Sequence, residues 1–189
     1  RLREWTIALL GEEPYAAQTM FYFKPPTARG QALHQDQSPL AVHPGTCLAA
    51  WMAVDECDEE NGCIQLVPRT HNLPELCMID ADTSQSFTNK TVPIPEGTAP
   101  IPVVMKAGDV LFFNGSVIHG SYPNTSTDRF RRSLIGHYVV GEAEKVAEFY
   151  DPVLTFDGEE IHLLASDRGG PCGIFVTNDD EQSIQMIES

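Results

Sequence analysis

Six short runs of apolar and β-branched residues, each closed by Gly, Pro, Asn or Asp, set the strongest limit on the fold. They are residues 19–24 (TMFYFK), 46–54 (TCLAAWMAV), 63–67 (CIQLV), 102–106 (PVVMK), 109–113 (DVLFF) and 132–140 (RSLIGHYVV). Runs of this length and composition read as strands, and the punctuation between them reads as turns. Helix periodicity occurs only at the start, where Leu2, Trp5, Leu9 and Leu10 predict a short amphipathic helix over residues 1–10 that stops near Gly11. Many strands with little helix between them predict an antiparallel sandwich or barrel, not a parallel α/β sheet. The 189 residues suffice for one core and are too few for two, so residues 1–189 read as a single domain.

The remaining segments carry fewer signals. Asn61-Gly62 and Ala107-Gly108-Asp109 are turn signals that serve backbone geometry. Residues 80–100, rich in Thr, Ser, Pro and Gly, form either a lid or a plain insertion. The tail after Asp157, with Gly169-Gly170-Pro171, reads as irregular covering structure. The chain opens on Arg1-Leu-Arg-Glu-Trp, without an initiator Met and inside the expected helix, so further residues are expected upstream.

Charge and cysteine content exclude some roles. Lys plus Arg number 12 against 27 Asp plus Glu, a net charge of −15, which disfavours a nucleic-acid partner and an anionic membrane surface. No stretch approaches the roughly 18 apolar residues of a membrane span, and no signal peptide is visible. The acidic runs at residues 55–60 and 179–181 read as solvated loops. Lys24, Arg29 and Arg69 are candidates for a local basic patch that the net charge conceals. Five cysteines (47, 57, 63, 77 and 172), an odd number without a CxxC pair, suit reduced thiols in a cytoplasmic protein better than a disulfide framework. Composition fixes no oligomeric state.

The chemistry concentrates in two strings. In Ala32-Leu33-His34-Gln35-Asp36-Gln37, an extended backbone would put His34 and Asp36 on one face, with Gln35 pointing away. His119, in Val117-Ile118-His119-Gly120-Ser121, follows a strand and can join them if a barrel brings distant strands together. Two histidines and a carboxylate form the facial triad of non-haem iron(II), which leaves coordination positions open. On spacing alone, however, a lone histidine is more often a surface or core residue than a ligand. Beyond His119 a polar turn runs into a strand that opens with Arg131 and Arg132, which must face opposite ways. The inward one would suit a carboxylate, gripped through two parallel hydrogen bonds.

The strings KPPTARGQALHQDQ, CLAAWMAVDECDEENGCIQLVPRTH and HGSYPNTSTDRFRRSLIGHY resemble the phytanoyl-CoA dioxygenase family, over about Met20 to Tyr138. The resemblance implies a double-stranded β-helix, a jelly roll with a few flanking helices. It implies a 2-oxoglutarate-dependent dioxygenase that takes Fe(II), 2-oxoglutarate and O2, hydroxylates a C–H bond of a small molecule, and releases succinate and CO2. On this chain the family's metal ligands fall on His34, Asp36 and His119, and its cosubstrate contacts on Arg131, Ser121, Trp51 and Met20. Arg132 takes the outward position. Met20 and Trp51 also suit ordinary core packing, and Ser121 a turn. A carboxylate at Asp36, where related halogenases carry a small residue, favours hydroxylation over halogenation. His43, His71, His137 and His162 match no ligand position and are taken as structural or exposed. Specificity would lie in residues 37–44 and 80–100. The alternatives are a zinc or manganese enzyme on the same donors, and a non-catalytic jelly-roll binding protein.

Overall fold

A computed structural model describes residues 1–166, 170–178 and 181–188. The helix α1 (Leu2–Leu10) ends where Gly11 adopts φ 86°, a left-handed conformation that only glycine takes without penalty. Among the described residues sixteen strands follow: β1 (Tyr15–Lys24), β2 (Gln31–His34), β3 (Cys47–Ala53), β4 (Ile64–Leu66), β5 (Ile79–Asp80), β6 (Lys90–Thr91), β7 (Ile101–Pro102), β8 (Val110–Asn114), β9 (His119–Ser121), β10 (Arg131–Val139), β11 (Lys145–Ala147), β12 (Val153–Leu154), β13 (Glu160–Ile161), β14 (Leu164–Ser166), β15 (Cys172–Asn178) and β16 (Glu181–Ile187). A one-turn helix α2 (Gln37–Leu40) and a 3-10 turn at Glu148–Tyr150 complete the elements.

Two antiparallel sheets carry the fold, the larger in the order β13-β12-β1-β10-β3-β8 and the smaller in the order β2-β9-β4-β7. This is the jelly-roll core expected. The buried faces of the two sheets enclose Trp51, Ile64, Met105, Phe113 and Ile135. On the opposite face of the larger sheet, Leu2 and Leu10 of α1 pack against Leu48, Ala50 and Tyr138.

Register fixes what the inner face presents. Along the β1–β10 pair, Gln18 lies opposite His137, Met20 opposite Ile135, Tyr22 opposite Ser133 and Lys24 opposite Arg131. Across β10 and β3, Ile135 meets Trp51 and His137 meets Ala49. Side chains alternate along a strand, so these positions form successive rows on one surface, with a histidine at one end and two cations at the other.

Several expectations need correction. The run 102–106 is extended only at Ile101–Pro102, with an isolated bridge between Cys57 and Met105. The tail is not irregular. β15 and β16 form a hairpin whose Phe175 and Ile184 pack on Val67, Leu76, Val92 and Ile118. Cys77 and Cys172 are joined in a disulfide across 95 residues, tying that hairpin to the segment before β5, so the expectation of five reduced thiols fails; Cys47, Cys57 and Cys63 are free and buried. The missing signal was spatial, because no spacing rule links two cysteines so far apart.

Residues 80–100 are pinned along β2, not loose. Ser86 Oγ accepts the Ala32 N–H at 2.8 Å, and Thr91 Oγ1 donates to the Leu33 carbonyl at 3.0 Å. The acidic run 55–60 is a clasp instead of a solvated loop: Asp55 takes Arg132 at 2.6 Å, while Asp58 and Glu60 take Arg129 at 2.7 and 3.1 Å. In the second acidic run, Asp179 and Asp180 lie outside the described residues, as does Gly169.

Candidate metal centre and its cavity

β2 and β9 bring the first two imidazoles together. Their pairing slips between Gln31↔Ser121 and His34↔His119, and the slip sets His34 directly opposite His119 with ring centroids 4.2 Å apart. Close backbone approach permits this. A Cβ on Gly120 would lie 2.6 Å from the Gln31 carbonyl oxygen and one on Gly30 2.2 Å from that of Ser121, so neither position admits a side chain without shifting the strands.

Asp36 arrives differently from the expected route. The strand ends at His34, and Asp36 caps α2 with φ −70° and ψ −19°, so the turn out of the strand, not strand alternation, swings the carboxylate toward the imidazoles. Gln35 does point away. It is buried, its amide nitrogen donates to the carbonyls of Pro74 and Ser116 at 3.0 Å each, and its oxygen accepts the Leu76 N–H at 2.8 Å. That one side chain ties the segment bearing two donors to the loop that leads into His119.

One donor atom each from His34, Asp36 and His119 lies within 4.8 Å of the others. His34 Nε2 is 3.5 Å from Asp36 Oδ1, and His119 Nε2 is 3.6 Å from Oδ2. Facial donors about 2.1 Å from a common ion lie roughly 3 Å apart, so only a small contraction is required. The tautomers suit a metal as well. His34 Nδ1 is 2.9 Å from the Ala32 carbonyl and His119 Nδ1 is 3.0 Å from that of Val117, so each Nδ1–H donates to the backbone and each Nε2 is turned to the centre, where an ion would take the place of the proton His34 shares with Asp36. The residues present fit a divalent transition-metal ion.

His137, taken from the sequence as structural or exposed, is buried against the carboxylate. Its Nε2 lies 2.9 Å from Asp36 Oδ2, and its Nδ1 lies 3.2 Å from Gln18 Nε2. Nε2–H thus donates to Asp36 and Nδ1 accepts from Gln18, which holds one carboxylate oxygen and turns the other toward His34. His43, His71 and His162 are exposed, the last beside Asp151 at 2.9 Å.

Electrostatics follow from this packing. Burial opposes ionisation of Asp36, but His119 together with hydrogen bonds from His137 and His34 outweighs it and holds the carboxyl well below its ordinary value. Burial pushes His119 down to about 4, so it stands neutral. At His34 burial also opposes the charge, yet the hydrogen bond to Asp36 wins and the value rises.

The triad opens into a cavity of about 210 Å3 that also takes in Met20, Trp51, Ser121 and Arg131. All four positions expected to meet a cosubstrate therefore share one space with the triad, and Ser121 sits in a strand, not a turn. Arg131 is buried, with its guanidinium carbon 5.5 Å over the Trp51 ring, whereas Arg132 faces out to Asp55. Arg131 Nε donates to the Gly62 carbonyl at 3.1 Å and Nη1 to Ser133 Oγ at 2.9 Å. Its Nη2 has no acceptor among the described residues.

Of the expected basic patch, Lys24 and Arg29 line one small cavity with Arg131, and Arg69 is not part of it. Lys24 is buried beside Arg131, and its ammonium nitrogen reaches Ser121 Oγ at 2.8 Å and the Tyr122 carbonyl, while Arg29 and Arg69 are exposed. Burial first and the Arg131 charge second bring the Lys24 value down to about 7.

The solved epimerase SnoN of nogalamycin biosynthesis, in complex with Fe3+, alpha ketoglutarate and nogalamycin RO, is 25% identical, with a TM-score of 0.64 over 88% of this chain and 68% of its own. EvdMO1 is 30% identical, with a TM-score of 0.57 over 73% of this chain and 30% of its own. Among curated proteins, phytanoyl-CoA dioxygenase 1 of Oryza sativa subsp. japonica is 31% identical over 119 residues, 61% of this chain and 41% of that protein. The peroxisomal phytanoyl-CoA dioxygenase of Rattus norvegicus is 32% identical over 137 residues, 68% of this chain and 40% of that protein. The chain thus spans less than half the length of either relative. The family model for phytanoyl-CoA dioxygenase matches residues 1–133, and the chain belongs to that family.

Proposed function

We propose that the chain is one oxygenase domain that uses Fe(II), 2-oxoglutarate and O2 to hydroxylate a C–H bond of a small organic molecule. His34, Asp36 and His119 would hold the ion, and Arg131, Ser121, Trp51 and Met20 would receive the cosubstrate. The observation that carries this reading is the pairing, in one cavity, of a facial two-histidine, one-carboxylate donor set with a buried guanidinium that has no acid to neutralise it. When bound, the ion with 2-oxoglutarate and dioxygen supplies oxidative decarboxylation to succinate and CO2, coupled to hydroxylation.

The protein's own part is positioning. Two backbone carbonyls lock the imidazole tautomers. His137 fixes the Asp36 carboxylate, so the orientation of all three donors is set before anything binds. The guanidinium of Arg131 would take the far carboxylate of the cosubstrate, and Trp51 and Met20, which line the same cavity, would supply apolar walls that keep that carboxylate from water.

A zinc or manganese hydrolase would use the same three donors but leave Arg131 and Lys24 without a counter-charge, and a non-catalytic binding protein is distinguished by the absence of succinate formation. The carboxylate of Asp36 occupies the position a halide would require, which supports hydroxylation. No helix among the described residues is long and apolar enough to cross a membrane. The disulfide counts against the cytoplasmic setting expected from the cysteine pattern, because reducing compartments keep such pairs as thiols.

The test needs no substrate. Iron(II) and then 2-oxoglutarate are added to the metal-free protein without oxygen, and the visible metal-to-ligand charge-transfer band of the chelate is recorded. A band that is lost in His119→Ala supports the reading. Iron binding without a band would overturn it.

A further inference from the structure

The hairpin of β15 and β16 is a two-stranded sheet of its own, joined to neither of the two main sheets. Two strands alone are marginal in water, so the hairpin depends on what holds it down. Its firmest attachment is at the start of β15, where Cys172 is bridged to Cys77. Around the bridge the Cys77 N–H donates to the Gly173 carbonyl at 2.9 Å, and the Gly173 N–H donates to the Glu75 carbonyl at 2.8 Å. Packing there is close: an added Cβ on Gly173 would lie 2.6 Å from Ile184 Cγ2 and 3.3 Å from Leu76 Cδ2.

Residues 74–77 also hold the metal centre. The Pro74 carbonyl accepts Gln35 Nε2 at 3.0 Å, and the Leu76 N–H donates to Gln35 Oε1 at 2.8 Å. Gln35 stands between His34 and Asp36 in the chain. Leu33 and Ile118, the residues that precede His34 and His119, lie in the apolar cluster with Phe175 and Ile184 of the hairpin. Each of the three donors is therefore next in sequence to a residue that the hairpin or its attachment segment braces. A cavity of about 330 Å3, lined in part by Gln37, Glu75, Ser116 and Pro171, gives the hairpin and the attachment segment room to shift.

We propose that the Cys77–Cys172 bridge is a redox-operated latch on the metal centre: closed, it keeps the hairpin braced behind His34, Asp36 and His119; opened, it releases the hairpin and lowers the affinity for the ion. This rests on the reading of those three residues as metal donors and adds a control to it. The opening step is thiol–disulfide exchange with a dithiol. A thiolate of the reductant attacks one sulfur of the bridge, its second thiol resolves the mixed disulfide, and the products are two protein thiols and the reductant's own disulfide. Two electrons and two protons pass to the protein, and glutathione disulfide takes them back. Cys77 and Cys172 are half-buried between the exposed Met78 and Pro171, which lets a dithiol approach, whereas Cys47, Cys57 and Cys63 are buried. Once the bridge is cut, two positions 95 residues apart stay together through non-covalent contacts alone, and the restraint lost grows with that separation.

Metal-free protein is prepared oxidised and, after treatment with dithiothreitol and removal of the reagent without oxygen, reduced. Manganese(II), which favours carboxylate and imidazole over thiols, is titrated into each, and the free ion is followed by its paramagnetic resonance signal. The reduced protein is expected to bind about 10- to 100-fold more weakly, the usual effect of losing contacts that orient metal ligands, and to recover after glutathione disulfide. The double variant Cys77→Ser, Cys172→Ser is expected to bind as the reduced protein does and to ignore dithiothreitol. Hydrogen exchange on the same samples is expected to quicken at Leu76, Cys77 and Gly173 while β1, β3 and β10 stay protected. Equal affinity in the oxidised and reduced protein makes the bridge a plain staple and overturns the latch, leaving the donor reading in place. Loss of protection throughout β1, β3 and β10 on reduction also overturns it, because the bridge would then hold the whole fold. Failure of the oxidised protein to bind manganese(II), or binding that survives His119→Ala, overturns the donor reading and the latch with it.

Discussion

The two ends of the cavity share one pair of strands, β1 and β10, and are electrically opposite. At the metal end, Gln18 and His137 face Asp36, and a single carboxylate is surrounded by three imidazoles, every one of which has a hydrogen-bond or ion-pair partner within the protein. At the other end Lys24 and Arg131 face each other with no acid. The metal end is pre-organised by protein groups alone and waits for an ion to replace protons. The cationic end is left uncompensated and stabilises an anion more than it stabilises the fold. Specificity for a molecule that is a chelator at one end and a carboxylate at the other follows from that asymmetry and not from either end alone.

Breaking the metal end should have the largest effect. Asp36→Ala removes the one negative donor and leaves three imidazoles without the acceptor that orders them, so iron binding and turnover are both expected to fall below detection, measured by bound-metal analysis after desalting. Breaking the cationic end should separate the two functions. In Arg131→Ala, iron affinity is expected to stay within about threefold of wild type while 2-oxoglutarate affinity drops by about 100-fold, the value of losing a buried charge-assisted pair. Equal losses of both ligands would show that the ends are not independent.

His137 sharpens the comparison because it sits at the metal end without being a donor. Removing a partner that orients a metal ligand typically costs 10 to 100-fold in affinity. His137→Leu is therefore expected to weaken Fe(II) binding by about that factor, while His137→Gln, which can still donate to Asp36 Oδ2, recovers part of the loss. A merely structural role would lower thermal stability in both variants without separating them.

Much of this was legible in the sequence, and the misses share a cause. Alternation along a strand correctly separates Arg131 from Arg132, one buried and one on Asp55. The same step of two, continued from Arg131 through Ser133 and Ile135, lands on His137; continued from Met20 through Tyr22, it lands on Lys24. Residue type alone puts neither inward, one being a histidine at no ligand position and the other a lysine in a candidate basic patch; parity with a neighbour already assigned inward places both. Asp36 reached the site by a route that strand alternation does not describe, since the helix cap that turns it depends on φ and ψ after the strand ends. The His34↔His119 slip, the Cys77–Cys172 bridge and the C-terminal hairpin are relations between distant segments, and one sequence contains no period that links them.

Gly62 links turn chemistry to the cationic end and gives a smaller effect. It stands at φ 82°, its carbonyl accepts Arg131 Nε at 3.1 Å and Lys24 Nζ at 3.4 Å, and an added Cβ would lie 2.8 Å from Lys24 Cδ. The Asn61-Gly62 turn thus holds both cations from behind. Gly62→Ala is expected to cost roughly 1–2 kcal/mol of stability through the left-handed backbone and to weaken 2-oxoglutarate more than iron, read by denaturant midpoint and by titration of the chelate. Loss of iron affinity instead would mean that the turn supports the metal end.

The smallest effect belongs to the pair that alternation placed outside. Arg132 is well exposed and its bond to Asp55 depresses the Asp55 carboxyl, chiefly through a side-chain hydrogen bond that outweighs the opposing effect of burial. A depressed folded value means the stabilisation is present above the ordinary carboxylate range and disappears as pH falls through the lower folded value. Water screens the pair, so Asp55→Asn is expected to lower Tm by at most about 2 °C at pH 7 and by progressively less as pH falls through the depressed folded value, with both ligand affinities unchanged. An effect on 2-oxoglutarate as large as that of Arg131→Ala would exchange the roles of the two arginines and reverse the orientation of β10 that the cationic end depends on.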